Sequence, residues 1–350
     1  MKYLPLGSSP LEVSAICLGT MTWGQQNTQA DADQQIDYAL DCGINFIDTA
    51  EMYSIPPKPE TQGSTERIIG NWLQANPAKR EKIILASKIA GNNIPWLREG
   101  GSITGAAVIE AVDQSLARLQ TDYIDLYQLH WPNRLSPHFS KHWPGMLPLV
   151  DVDAEQQQAE MLDILQGLDH CVKAGKIRYC GLSNETPWGI ASYLALSEQY
   201  SLPRMVSVQN EFSLLHWKDS PYVLESCINS EVAYLPWSPL AGGALSGKYR
   251  HGKRPENCRW TMAQRNGIFR DTTQTEAAIE AYWQVADRFE LSLAQMSLAW
   301  VYQCQGVTST IIGATSMDQL KENISAYTLS LNEAVMGEIE RVMKQYPIPF

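Results

Sequence analysis

Two spatial periods alternate along this chain. Short β-branched runs at 16–20, 45–50, 82–89, 123–130, 177–183, 205–211, 232–238 and 309–313 read as eight strands. The segments between them follow the helical period. Residues 104–120 bring Val108, Val112, Leu116 and Leu119 onto one face, and residues 155–174 do the same with Met161, Leu165, Leu168 and Val172 before stopping at Gly175. Helix-start and helix-stop residues bound the stretch from Asp31 to Gly43. Thr186-Pro187 and Ser220-Pro221 each place a capping hydroxyl before a proline at a first helical position; Ser292 with Gln295 and Ser316 with Gln319 have capping-box spacing.

Eight strand-then-helix units predict an α/β fold of the (β/α)8 TIM barrel type. The rival, a doubly wound sheet, needs a G-x-G-x-x-G turn after an early strand. ICLGTMTWG does not supply it, and AGGALSG follows the seventh strand. Gly7, Ser8, Ser9 and Pro10 separate two short runs within residues 1–15, which predicts an N-terminal β-hairpin capping one end of the barrel. An additional C-terminal helix is expected over about 333–345. No linker or repeat interrupts the pattern, so 1–350 is expected to form a single domain.

Three of the strands finish on residues that an apolar run does not normally tolerate: Asp48 in NFIDTA, Lys88 in KIILASKI and His130 in YIDLYQLH. Tyr53 follows the first of them in DTAEMY. In a barrel the chemistry sits at the C-terminal strand ends, and neighbouring strands lie roughly 4.8 Å apart, so these four side chains can converge. Taken singly, each has an ordinary reading as a capping carboxylate, a snorkelling lysine, a core histidine or a packing aromatic. Their joint placement favours catalysis. A tyrosine can protonate an alkoxide as it forms, but its free pKa near 10 is too high for efficient work at neutral pH. Lys88 as a cation is expected to lower that pKa, Asp48 to keep the lysine charged and oriented, and His130 to donate a hydrogen bond to a substrate carbonyl.

With 44% hydrophobic residues among 350 the chain can bury a large core, and it has no apolar run near eighteen residues. The N-terminus lacks the continuous apolar stretch of a signal peptide, so the protein is expected to be soluble and unprocessed. Seven scattered cysteines (17, 42, 171, 180, 227, 258, 304) with no C-x-x-C pairing suit reduced thiols in a cytoplasmic setting, without a disulfide framework or zinc site. A net charge of −11 argues against nucleic-acid and anionic-membrane partners. Against that balance, Lys248, Arg250, Lys253, Arg254, Arg259, Arg265 and Arg270 face the lone Glu256 between 248 and 270. This is the local exception a phosphorylated ligand requires, with Lys248 and Arg259 as the expected phosphate contacts.

The ordered motifs LGTMTWG (18–24), FIDTAEMY, LASK, DLYQLHWP, GKIRYCGLSNE, VQNEFSLL, SPLAGGALSGKY and TSTIIGATSMDQLKENI (308–324) cover most of the chain. On them it resembles the aldo-keto reductase superfamily, in the branch of the Tas-type bacterial reductases and the potassium-channel β-subunits. The resemblance implies a (β/α)8 barrel, NADPH bound without a Rossmann domain, and Asp48, Tyr53, Lys88 and His130 as catalytic tetrad. It also implies cofactor contacts from Gly19, Thr20, Met21 and Asp48. Ser183, Asn184 and Gln209 match the carboxamide binders, and Trp237 the ring-stacking position, where most members carry Tyr or another residue. Ser238, Leu240, Gly242 and Lys248, with Arg259, would line the phosphates. Gly313, Thr315, Ser316, Gln319, Glu322 and Asn323 would line the adenosine half; the GATS stretch lacks the lysine some branches use for the 2′-phosphate.

The segment from Trp131 to Asp153 is too long for a tight βα loop and carries Trp131, His138, Phe139, His142 and Trp143, so it is expected to form one wall of a substrate mouth. Trp23 and the 91–101 loop with Trp96 are the other expected walls, around Tyr53 and His130. Such a pocket suits small-molecule aldehydes or ketones with an apolar or aromatic body. His130, His138 and His142 also invite a metal reading, but no carboxylate stands at ligand spacing and no metal is expected. A second functional reading is an NADP(H)-binding redox-sensing regulatory subunit with slow turnover; with no interaction segment ahead of the hairpin, the enzyme is the expectation. A metal-dependent sugar isomerase would want further carboxylates and histidines on different strand ends. The sequence leaves oligomeric state open.

Overall fold

The computed structural model describes residues 1–148, 152–262 and 268–350. Arg265 and part of the 131–153 segment lie outside the described residues. Two short strands, β1 (Tyr3–Pro5) and β2 (Glu12–Ser14), pair antiparallel. Eight parallel strands follow: β3 (Ile16–Gly19), β4 (Phe46–Asp48), β5 (Ile84–Ile89), β6 (Ile124–Leu129), β7 (Ile177–Ser183), β8 (Met205–Glu211), β9 (Ala233–Trp237) and β10 (Thr310–Ile312). Their order is β10-β3-β4-β5-β6-β7-β8-β9. Across the remaining seam Tyr234 bridges Val307, and the Thr308 N–H donates to the Tyr234 carbonyl at 2.9 Å. The ring is thereby nearly closed, as a (β/α)8 barrel.

Helices α1 (Gln29–Asp41), α2 (Ser64–Ala75), α3 (Gly105–Leu119), α4 (Ala154–Lys173), α5 (Pro187–Tyr200) and α6 (Tyr222–Asn229) connect the strands up to β9. Then come α7 (Thr273–Arg288), α8 (Leu293–Gln303), α9 (Met317–Ser325) and α10 (Glu333–Gln345). Val108, Val112 and Leu119 are buried on α3, and Met161, Leu165 and Leu168 on α4, as the helical period requires. Thr28 and Asp31 form a reciprocal capping box, and Thr186 caps α5. Two expectations about local structure need correction. Ser220 makes no cap: Pro221 itself stands at the N-cap of α6, and the backbone carbonyl of Asp219 takes the N–H of Val223 at 2.8 Å. Gln295 and Gln319 do not complete capping boxes, because their amides reach Ser325 and Thr315 instead. Helix α7 lies outside the expected elements; it packs with α10, where Arg288 meets Glu338 at 3.1 Å.

The hairpin closes the N-terminal end of the barrel. Leu6 and Val13 are fully buried in one cluster with the inward-facing Cys17, Phe46, Ala86, Leu126, Val206 and Leu235. Gly7 allows this approach at φ +59, since a Cβ there would lie 2.1 Å from the Val206 carbonyl oxygen. The larger cluster fills the layer between barrel and helices.

Candidate active site

Side chains alternate across a strand, so the residues two beyond each inward-facing apolar position also face the interior, one layer nearer the C-terminal end. Phe46 is followed by Asp48, Ala86 by Lys88, Leu126 by Gln128, and Leu235 by Trp237. Where the barrel's apolar filling stops, a polar layer begins. There Lys88 Nζ donates to Asp48 Oδ2 at 2.6 Å and to the Thr49 carbonyl at 2.7 Å. The other carboxylate oxygen accepts from Gln209 Nε2 at 2.9 Å and Gln128 Nε2 at 3.2 Å. A buried carboxylate and ammonium tolerate such a site only when paired and hydrogen-bonded in this way.

Tyr53 stands directly over this pair. Lys88 Nζ is 5.1 Å from its ring centroid, and the His130 ring meets it edge-on at 5.6 Å. His130 is fixed through its backbone, which donates to the Ile89 carbonyl at 3.0 Å and accepts from Asn184 Nδ2 at 2.8 Å, while its Nδ1 is buried without a partner. The structure therefore brings the four expected residues to one point. Tyr53 and His130 are each 8% exposed, a narrow opening onto the layer.

Burial alone would push the Lys88 ammonium down, but Asp48 and the Tyr53 phenol hold it above its ordinary value. Burial pushes the Tyr53 phenol up, with Lys88 and Arg259 pulling it back. Lys88 pulls the phenol down as expected, but the net direction is a correction: burial removes the water a phenolate needs, and that outweighs the two neighbouring cations. Burial, with Lys88 adding to it, holds His130 well below the usual histidine range, so its ring is neutral.

The residues matched to cofactor contacts form a rim around this layer. Thr20 donates to the Asp48 carbonyl at 2.8 Å, and Gly19 pairs with Asp48 so closely to β10 that a Cβ would lie 2.8 Å from Ile312 O. Ser183 donates to the Gln209 carbonyl; Asn184, at φ +53, leaves Oδ1 buried and unpartnered. Gln209 spends its side-chain amide protons on Asp48 and Gln128, so its side-chain Oε1 is the atom available to a ligand. Trp237 is half-buried with a buried, unpartnered Nε1. Beyond it, Ser238 (φ +53), Leu240 and Gly242 (φ +66) lead to Gly243, beside which Lys248 packs.

Among the cations of this segment, Arg250 pairs with Glu280, Arg254 with Asp271, and Arg270 with the buried Glu211. Lys248 and Arg259 have no carboxylate partner among the described residues. Arg259 rests on Met21, Nη2 to Sδ 3.7 Å, and burial together with Arg270 beside it lowers its guanidinium to about 10. Across the mouth, Asn323 donates to the Gly313 carbonyl at 3.1 Å, and Gln319 accepts from the Thr315 N–H at 3.0 Å. The Ser316 hydroxyl caps α9, and Glu322 accepts from Ser292 at 2.7 Å.

On the substrate side the rings run in a chain: His130 to Trp131 at 5.0 Å, Trp131 to Phe139 at 6.4 Å, and Phe139 to Trp237 at 6.0 Å. Phe139 is 43% exposed and Trp96 stands half-open on its own loop. Trp23 is corrected. It is fully buried in the layer beneath the helices, its indole N–H donating to Gln35 at 3.1 Å, and so forms no wall of the mouth. Gln128 was legible by parity, two residues before His130, and is absent from the expected set. Glu51 and Arg98, which pair beside Tyr53, carried no sequence signal.

Three neutral histidines predict acid sensitivity. Burial pushes His216 down to about 4, and His130 and His138 well below their ordinary value. Unfolding frees each ring to titrate near 6.5, so the unfolded chain binds more protons below that pH. Stability is then fully present above about pH 6.5 and lost as pH falls, each ring costing about 1.4 kcal/mol per unit until its folded pKa is reached. Urea midpoints should fall between pH 7 and 5, and His216→Asn should flatten the slope. Equal midpoints would show that burial of these rings carries no proton linkage.

Among the described residues no cluster of His, Cys, Asp and Glu can hold a metal ion, and no helix is long and apolar enough to cross a membrane. The aldo/keto reductase family model matches residues 15–344. Protein tas of Escherichia coli (strain K12) is 45% identical across the whole chain and 99% of its own length. The oxidoreductase YrpG of Bacillus subtilis (strain 168) is 30% identical over 96% of this chain and 94% of its own. An aldo-keto reductase of Babesia bovis is 34% identical over 75% of this chain and 95% of its own length. A barrel whose polar layer gathers Asp48, Tyr53, Lys88 and His130, in a chain matched by the family model over residues 15–344 and along its whole length by Protein tas, belongs to the aldo/keto reductase family and is an oxidoreductase.

Proposed function

We propose that this protein is an NADPH-dependent carbonyl reductase that converts aldehydes or ketones to alcohols, with Tyr53 as general acid. The observation that carries the reading is the stacking of Tyr53 over a buried Lys88–Asp48 pair beside a neutral His130. The rim fits a nicotinamide dinucleotide: Asn184 Oδ1 is a buried acceptor without a donor, and Lys248 and Arg259 are cations without a carboxylate beside the Gly242-Gly243 turn. Bound there, a nicotinamide would supply the hydride for the carbonyl carbon. Tyr53 hands its proton to the carbonyl oxygen, and Lys88 stabilises the phenolate left behind. Asp48 keeps Lys88 charged through the cycle. His130, neutral and locked by its backbone, orients the carbonyl with a ring N–H. Ser183, Asn184 and Gln209 would hold the carboxamide, and Trp237 the nicotinamide ring. Trp131 and Phe139 receive an apolar or aromatic substrate body. Seven unpaired cysteines support a cytoplasmic setting.

Loss of NADPH absorbance against a panel of aldehydes, ketones, quinones and sugars tests the reading. Turnover of at least one carbonyl is expected; weak turnover of all, with a partner protein that senses cofactor state, would replace the reductase by a redox-sensing subunit. NADPH is expected to bind more tightly than NADH. Each charge-assisted bond to phosphate is worth roughly 1.5–3 kcal/mol, so Lys248→Ala or Arg259→Ala should weaken NADPH by about tenfold or more and NADH by less. Titration by tryptophan fluorescence checks this, and equal losses for the two cofactors would remove both residues from the extra phosphate.

A further inference from the structure

The turn that carries Tyr53 is held by an ion pair between a buried carboxylate and a half-buried guanidinium, which the proposed chemistry does not use. Glu51, fully buried, lies two residues before Tyr53, and its N–H donates to the Lys88 carbonyl at 3.1 Å. Its carboxylate accepts the N–H of Ala90, two residues beyond Lys88, at 2.6 Å. Arg98 grips the same carboxylate with both ends of its guanidinium, at 2.6 and 3.1 Å, and returns Nη2 to the Ala90 carbonyl at 2.8 Å. Ala90 lies just past the end of β5, so this pair satisfies both peptide groups where the ladder stops.

Three local costs meet here. Arg98 and Glu99 both adopt left-handed backbone, at φ 48 and 56, without being glycine. Arg98 Nε is buried with no acceptor. Desolvating the Glu51 carboxylate is a further cost, which its ion pair offsets only in part. Apolar packing alone already joins the two segments, since Ala50, Met52, Tyr53 and Ile55 share one small cluster with Ala90, Ile94 and Leu97. What the ion pair adds is a fixed register between the tyrosine turn and the strand that carries the lysine. Strain that persists under such over-determination marks functional constraint.

We infer that Glu51 and Arg98 are positioning residues, which set the placement of Tyr53 over Lys88 and thereby the efficiency of the proton donor. The inference rests on the reading of Tyr53 as general acid. A misplacement of about 1 Å can cost on the order of 10²-fold in rate. Glu51→Gln and Arg98→Ala are expected to lower kcat by roughly tenfold to a hundredfold with cofactor affinity unchanged. With Lys88 less well placed to pull the phenol down, the apparent pKa of the acid should move up. Arg98→Lys, which keeps the charge but not the fork, should return part of the rate, and it carries the test if Arg98→Ala does not fold.

The measurement is kcat, KM and the pH profile per folded molecule, with thermal melting alongside and Tyr53→Phe run in parallel. Lowered melting with kcat and pH profile at the parent's values would overturn the inference and leave the pair a structural staple. A slow Tyr53→Phe beside clamp variants at the parent's rate removes the clamp alone. A Tyr53→Phe at the parent's rate removes the acid assignment and the inference with it.

Discussion

Replacing Tyr53 by Phe is expected to slow carbonyl reduction by roughly 10²–10⁴-fold, the range for loss of a general acid, while NADPH binds as before. The substitution keeps the ring that packs in the small cluster with Ala90 and Ile94 and meets His130 at 5.6 Å, and deletes only the hydroxyl. Most of the matched cofactor contacts lie elsewhere, on β7, β8, the end of β9 and the loops after β9 and β10, and those nearest, Gly19, Thr20, Met21 and Asp48, are untouched by loss of the hydroxyl. No neighbour can take over: Lys88 donates to Asp48 and Thr49, and His130 is neutral at working pH. Because burial raises the phenol, the parent should lose activity only as pH climbs through that elevated value, with the acid fully protonated below it. A Phe variant reducing a good aldehyde at the parent's rate would end the assignment, whatever the family.

Lys88→Met is expected to be comparably damaging and to cost stability as well. Lys88 is the cation paired with Asp48 Oδ2, and both are buried. Removing one partner of a buried pair leaves a carboxylate in a water-poor site, a loss of about 3–5 kcal/mol. Residual activity should show the acid's pKa shifted further up, since the largest lowering influence on the phenol is gone. Adding Asp48→Asn separates the two effects. The double variant should recover much of the stability, its amide being neutral, and none of the rate. Recovery of rate would mean that Lys88 serves only to neutralise Asp48. An unchanged melting temperature in Lys88→Met alone would mean that the carboxylate is solvated or protonated.

The strand ends were legible because a polar residue closing an apolar run is costly unless something pairs it. Asp48, Lys88 and His130 advertise themselves in that way, and the barrel converts their order along the chain into neighbourhood. Trp23 shows the limit. An indole beside a strand end fits a wall or a core equally well by composition, and only the position of Gln35 on α1 decides. Glu51 and Arg98 are 47 residues apart and look like ordinary surface charges until β4 and β5 align. The cationic stretch illustrates the same point from the other side. Seven cations look alike in sequence, and Arg250, Arg254 and Arg270 drop out only once Glu280, Asp271 and Glu211 arrive from elsewhere, while Lys253, unpaired among the described residues, differs from Lys248 and Arg259 in standing exposed, away from the Gly242-Gly243 turn. Ser220 was misread because a capping hydroxyl counts only when the helix starts directly after it.

The hairpin that closes the barrel floor has a consequence for the order in which the molecule can be completed. Leu6 and Gly7 are made before every strand of the barrel, yet they rest in part on Val206, Ala233 and the Glu231 carbonyl, about 200 residues later in the chain. Until β8 and β9 exist, the hairpin has only the earlier part of its seat, Cys17, Phe46, Ala86 and Leu126, and two isolated three-residue strands are too short to hold together in water. A segment made early is therefore among the last to be fully seated. It acts as a stopper fitted after the vessel is made, and a nascent chain halted before β9 exposes the apolar lining that the stopper will later seal.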